Sequence, residues 1–114
     1  MQKLNEDKLT EIVIDFQEMR EKQDVLNEAL QDAFGYWIST LLKSMYGVID
    51  LPVRISGTPT EVRTFGSAVA HEKKYIDTAI KHGLNDPRTY KDRGLLQKAV
   101  SAFERATNIK WPFK

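Results

Sequence analysis

NEDKLTEIVIDFQEMREKQDVLNEALQDAFGYWISTLLKSMY, residues 5–46, contains no proline, and apolar residues return at helical spacing for most of its length. Leu9, Ile12, Phe16, Met19, Leu26, Leu30, Ala33 and Trp37 step by three and four, as an a/d seam does, with Gln23 the polar exception. Glu11, Asp15, Glu18, Glu21, Lys22, Asp24, Glu28 and Asp32 lie on the opposite face. The pattern predicts one long amphipathic helix with an acidic back, starting near an Asn5 N-cap and closed by Gly47 at C′. Gly35 interrupts the pattern without stopping it. Around and beyond it, Phe34, Trp37, Ile38, Leu41, Leu42 and Met45 form a wider apolar band, because a straight helix drifts relative to a heptad. Two halves are therefore expected: Phe34 to Met45 packed in the core, and Leu9 to Leu30 offering a narrow seam to a partner or a second copy.

After Gly47, Leu51, Val53 and Ile55 alternate with Pro52, Arg54 and Ser56. The segment 48–57 reads as an extended linker over the helices, or as an edge strand, since Pro52 cannot donate to a ladder. No second strand is apparent in the sequence, so a strand here would take its partner from another subunit. Thr58-Pro59-Thr60-Glu61 is a sharp helix start: a Thr N-cap, Pro at N1, and Glu at N3 to complete a capping box. Val62, Phe65, Val69, Ile76, Ala79 and Ile80 form that helix's buried stripe, with Gly83 at its end. Asp86-Pro87 repeats the start signal. Gly94 is expected to split a short turn, Pro87 to Arg93, from a final helix carrying Leu96, Val100, Phe103 and Ala106 or Thr107 and ending at Asn108. The tail from Ile109 to Lys114 alternates apolar residues with basic residues or proline and reads as extended. The fold class expected is all-α: a small bundle of three main helices in one helical domain, residues 1–114, with a short extended segment and an extended tail.

At 114 residues and 13.1 kDa the chain can bury a core without disulfides or metal. It has no cysteine, which excludes disulfides, thiolate catalysis and cysteine-ligated metal sites and fits a reducing compartment. The N-terminus lacks an apolar h-region, and no stretch approaches a membrane span, so a cytoplasmic protein without membrane contact is expected. Net charge is +1. Residues 1–34 hold nine acidic and four basic side chains, net −5, which leaves +6 for residues 35–114. Such a split is met within the fold, between subunits, or by a charged partner.

His71-Glu72-Lys73-Lys74-Tyr75 begins like the zinc-protease signature, but Tyr75 stands where the second histidine ligand belongs. No nucleophile elbow, phosphate-binding glycine loop or dinucleotide fingerprint is present. The carboxylates of the first helix line a wet face rather than an apolar pocket. The expectation is a protein that is not an enzyme, with no cofactor, no metal and no catalytic residue. Lys81, His82, Arg88, Lys91, Arg93 and Lys98 cluster with Tyr90, while Asp86 and Asp92 dilute the charge. This patch makes nucleic-acid binding the alternative function.

Leu84-Asn85-Asp86-Pro87-Arg88-Thr89-Tyr90 and the terminal stretch Phe103 to Lys114 resemble small accessory proteins of large tailed, T4-type phages, and within that group phage proteins that bind the host RNA polymerase. The resemblance implies an accessory factor acting on a host or phage machine in the host cytoplasm. It assigns no functional residue. From the residues themselves, the partner-binding candidates are Asp15, Glu18 and Glu21 on the acidic face, Arg88, Lys91 and Arg93 on the basic turn, and Trp111 and Phe113 in the tail. The tail aromatics either dock on the bundle or project as anchors. A homodimer through the Leu9 to Met19 seam is the remaining assembly expected.

Overall fold

The computed structural model describes residues 11–22 and 27–113, and these are mostly helical. In chain order they form β1 (Ile12–Asp15), α1 (Phe16–Lys22), α2 (Asn27–Met45), β2 (Val53–Ser56), α3 (Pro59–His82) and α4 (Pro87–Thr107). The Asn5 N-cap, Leu9 and Leu26 lie outside the described residues.

The single long helix expected from residue 5 to 46 is not formed. Ile12-Val13-Ile14 is a β-branched run, stiff at χ1 and well suited to a pleated surface, and it becomes β1. Ile12, Ile14 and Phe16 obey a period of two as well as the helical steps, and the strand period wins: Ile12 and Ile14 are buried, Val13 is exposed. Asp15 then starts a new element by accepting hydrogen bonds from the amides of Gln17 (3.0 Å) and Glu18 (3.2 Å), so it caps α1 and does not extend an acidic helical face.

The segment 48–57 does contain a strand, and its partner belongs to the same chain. β2 pairs in parallel with β1, Ile12 opposite Val53 and Ile14 opposite Ile55, and the Ile12 amide reaches the Pro52 carbonyl at 2.8 Å. Parallel strands need a crossover of a dozen or more residues, which α1 and α2 supply. Pro52 sits just before the paired residues, where its missing N–H costs nothing.

Most of the helix termini are set by side-chain and glycine signals. Gly47, at φ +79°, donates to the Ser44 carbonyl while Val48 donates to that of Lys43, the Schellman closure of α2. The Thr58 capping box is complete: the Glu61 amide donates to Thr58 Oγ1 (3.1 Å) and the Thr58 amide to Glu61 Oε1 (2.9 Å). A Cβ on Gly57 would lie 2.8 Å from Glu61 Oε1 and 3.1 Å from the Phe16 ring, so a side chain there would have to displace the capping carboxylate or the ring. Asn108 closes α4 in the left-handed region. Gly94 does not split α4, which runs unbroken from Pro87; one exposed glycine costs a helix interior about 1 kcal/mol, too little to end a helix held on both sides.

Five large aromatics occupy the centre, one from each of five segments: Phe16 of α1, Phe34 of α2, Phe65 of α3, Phe103 of α4 and Trp111 of the tail. All are essentially fully buried. Ring centroids stand 5.3 Å apart for Phe16 and Phe65, 5.7 Å for Phe16 and Phe103, and 5.4 Å for Phe103 and Trp111. Part of the N-terminal half expected to be loosely committed is thus central to the core: Ile12, Phe16 and Met19, expected on the seam, face inward. Ile80, by contrast, leaves the expected stripe of α3 and is 79% exposed.

The strand assignment gives neighbouring residues opposite fates. Ile14→Ala should cost about 2–5 kcal/mol, as for a buried truncation. Val13→Ala should cost less than about 1 kcal/mol, as on an open strand face. Urea unfolding of the two variants checks this.

Candidate interaction groove

The short connection from Gly83 to Asp86 turns α4 back along α3, and two buried side chains lock the pair together. Thr78 of α3 donates its hydroxyl to the buried Asp92 carboxylate of α4, and Thr89, 1% exposed, donates to the Gly83 carbonyl at 2.6 Å. Asp86 caps α4 through the Arg88 amide (2.8 Å) and binds the Arg88 guanidinium at 2.9 Å through both oxygens. That contact holds the Asp86 carboxyl well below the usual carboxylate range and raises the Arg88 guanidinium.

The tail crosses the opposite end. Gln31 Nε2 donates to the Lys110 carbonyl at 2.7 Å, and Pro112 sits against Gly35, where an added Cβ would be 3.4 Å away. Trp111 is held by two carboxylates, its amide donating to Glu104 Oε2 and its indole N–H to Glu72 Oε1, both at 2.8 Å. Phe113 then stands edge-on to Trp111, with ring centroids 6.4 Å apart. Between α3, α4 and this tail lies an open groove of about 910 Å³. Its floor includes Tyr75, Leu96 and Val100, and its walls carry Leu84, Tyr90 and Phe113, which are 64%, 53% and 36% exposed. Exposed apolar side chains scattered singly need no explanation; here three of them line one concavity.

Of the residues expected to bind a partner, Arg93 and Phe113 meet in this groove. Lys91 is exposed on α4 away from its lining, and the Arg88 charge is taken by Asp86. Trp111 docks and is 2% exposed, so it does not project as an anchor. The acidic trio is divided by role: Asp15 caps α1, Glu18 lies 3.8 Å from Lys22, and Glu21 faces Gln17 at 3.5 Å. Leu84, Tyr90, Gln97 and Glu72 were not among the candidates. The Leu84-Asn85-Asp86-Pro87 turn carried the one available signal, a leucine in a polar connection. His71 and His82 are half-buried on α3, and among the described residues no three His, Asp or Glu side chains are grouped to hold a metal. No described helix is long and apolar enough to cross a membrane. No protein-family model, curated protein or solved structure matches the chain.

Burial pushes the Glu72 carboxyl above its ordinary value, while the Trp111 hydrogen bond pulls it down. The folded chain therefore keeps this proton at a pH where the unfolded chain has released it. Glu72's contribution to stability is complete in acid and is lost as pH rises from the ordinary glutamate range through the raised value. Glu72→Gln keeps an acceptor for the indole and removes the titration. It should be at least as stable as the parent near about pH 7, with the advantage shrinking near about pH 4. Thermal melts at the two pH values check the sign.

Proposed function

We propose that this chain is a non-enzymatic binding protein whose α3–α4 groove captures a segment of a partner protein. The observation that supports this reading is the convergence of Leu84, Tyr90 and Phe113 on one cavity whose polar supports are already satisfied. Aromatic side chains and arginine are the residue types that dominate binding hot spots, and both stand here. The resemblance to phage accessory proteins supports a host machine such as RNA polymerase as the partner. The acidic side chains of β1 and α1 are less suited to carry recognition, because each is engaged in a cap or a local contact.

Photo-crosslinking tests the groove. A benzoylphenylalanine replaces Tyr90 in one variant and Ile80 in another; Ile80 is the more exposed of the two and lies outside the groove. In the source cell, position 90 should give a discrete protein adduct and position 80 none, and Phe113→Ala should abolish it. Equal adducts from both positions, or none from either, would overturn the groove as the binding surface. The mass of the captured protein identifies the machine.

A further inference from the structure

We propose that the outward face of α4 is a second binding surface, apart from the groove, that lies along the phosphate backbone of a nucleic-acid duplex without reading its sequence.

Lys91, Lys98 and Arg105 recur every seven residues, so a straight helix carries them in one row that drifts by only about 20° per step. All three are exposed, none lines the groove, and none has an ion-pair partner among the described residues. The row spans about 21 Å at 1.5 Å per residue, the rise of about six base pairs. The basic cluster expected from Lys81 to Lys98 is thus divided: Arg93 lines the groove and Asp86 holds Arg88, while Arg105 joins Lys91 and Lys98.

The acids of α4 point elsewhere. Asp92 is buried against Thr78, and Glu104 lines the groove and accepts from the Trp111 amide. Five basic side chains on α4 face these two acids, and the Asp86 cap makes three, so the helix keeps a positive excess with every carboxylate ionised.

Between the cations, the same face carries Gly94, Leu95 and Ala102, each three or four residues from a cation. A Cβ on Gly94 would meet nothing within 4 Å, so packing does not require the glycine, although it costs the helix about 1 kcal/mol. A position without a side chain lets another backbone come close.

The row offers no aromatic ring for the stacking a single strand needs, and no amide to read base edges. A protein partner would find no large anchor there apart from Leu95, and exposed ion pairs alone are worth about 0–1 kcal/mol each. A duplex needs no apolar anchor, because each phosphate neutralised releases condensed counterions.

Fluorescence anisotropy of a labelled DNA duplex of about 20 base pairs tests this on the full chain. Binding should weaken about fortyfold between about 50 and about 200 mM salt, the dependence expected for three phosphate contacts. Lys98→Gln should lower the slope of log K against log salt by about 0.9, whereas Lys43→Gln, which removes an exposed charge from α2, should not change it. Gly94→Leu should raise the melting temperature yet weaken binding severalfold, while Gly66→Leu, at the equally open glycine of α3, should leave binding unaltered. A duplex of unrelated sequence should bind equally well. No binding at about 50 mM salt, or full binding by a variant with Lys91, Lys98 and Arg105 all changed to Gln, would overturn the surface. Tighter binding of the single strand, of polyglutamate or of phosphatidylserine vesicles would overturn the duplex as its partner.

Discussion

The contact of five buried rings holds this structure together. Phe16, Phe34, Phe65, Phe103 and Trp111 come from five different segments, and each ring packs against at least three of the other four. Rings of this size bury large areas and prefer the edge-on and offset geometries seen here, such as 83° between Phe16 and Phe34 and 90° between Phe34 and Trp111. The tail therefore belongs to the core. Its Trp111 completes the cluster, and only after Trp111 is seated does Phe113 stand where the groove needs a wall.

Apolar packing alone would not orient these segments, and the buried polar groups supply what it lacks. Glu61 is 4% exposed, yet it accepts from the Thr58 amide, pairs with Arg20 of α1 and crowds Gly57. It thereby joins the start of α3 to α1 and the end of β2. Glu72 does the same for α3 and the tail, and Asp92 for α3 and α4. A buried carboxylate without partners is costly, which is why each has a specific donor; no buried side-chain polar atom among the described residues lacks one. On the surface, the Tyr46 hydroxyl donates to Asp77 Oδ1 at 2.7 Å, and Lys73 meets Asp77 Oδ2 at 3.0 Å, bracing the end of α2 on α3.

What the sequence showed and what it concealed follow from the range of each signal. Helix ends are local, so Thr58 with Glu61, Asp86 before Pro87, Gly47 and Asn108 were all legible, as was the inward row Phe34, Ile38 and Leu42. The mostly helical character follows from the same signals. Residues 12–19 were misread because Ile12, Phe16 and Met19 satisfy helical spacing, while the strand is decided by a partner some 40 residues away in the chain, Val53 to Ser56. A parallel pair leaves no turn signature between its strands. Gly94 was over-weighted because its local cost is visible in sequence and the packing of α4 on α3 is not. Arg93 and Phe113 were legible as candidates, but the groove joining them is made by a loop, a helix face and a docked tail.

The split between an acidic N-terminal part and a basic remainder could be met within the fold, between subunits or by a charged partner, and part of it is met within the fold. Glu11 meets Arg54 within the fold, and Glu18 has Lys22 beside it, so part of the acid is answered locally. Exposed charges of this kind gain little from a partner, since water and salt screen them and an ion pair there is worth about 0–1 kcal/mol.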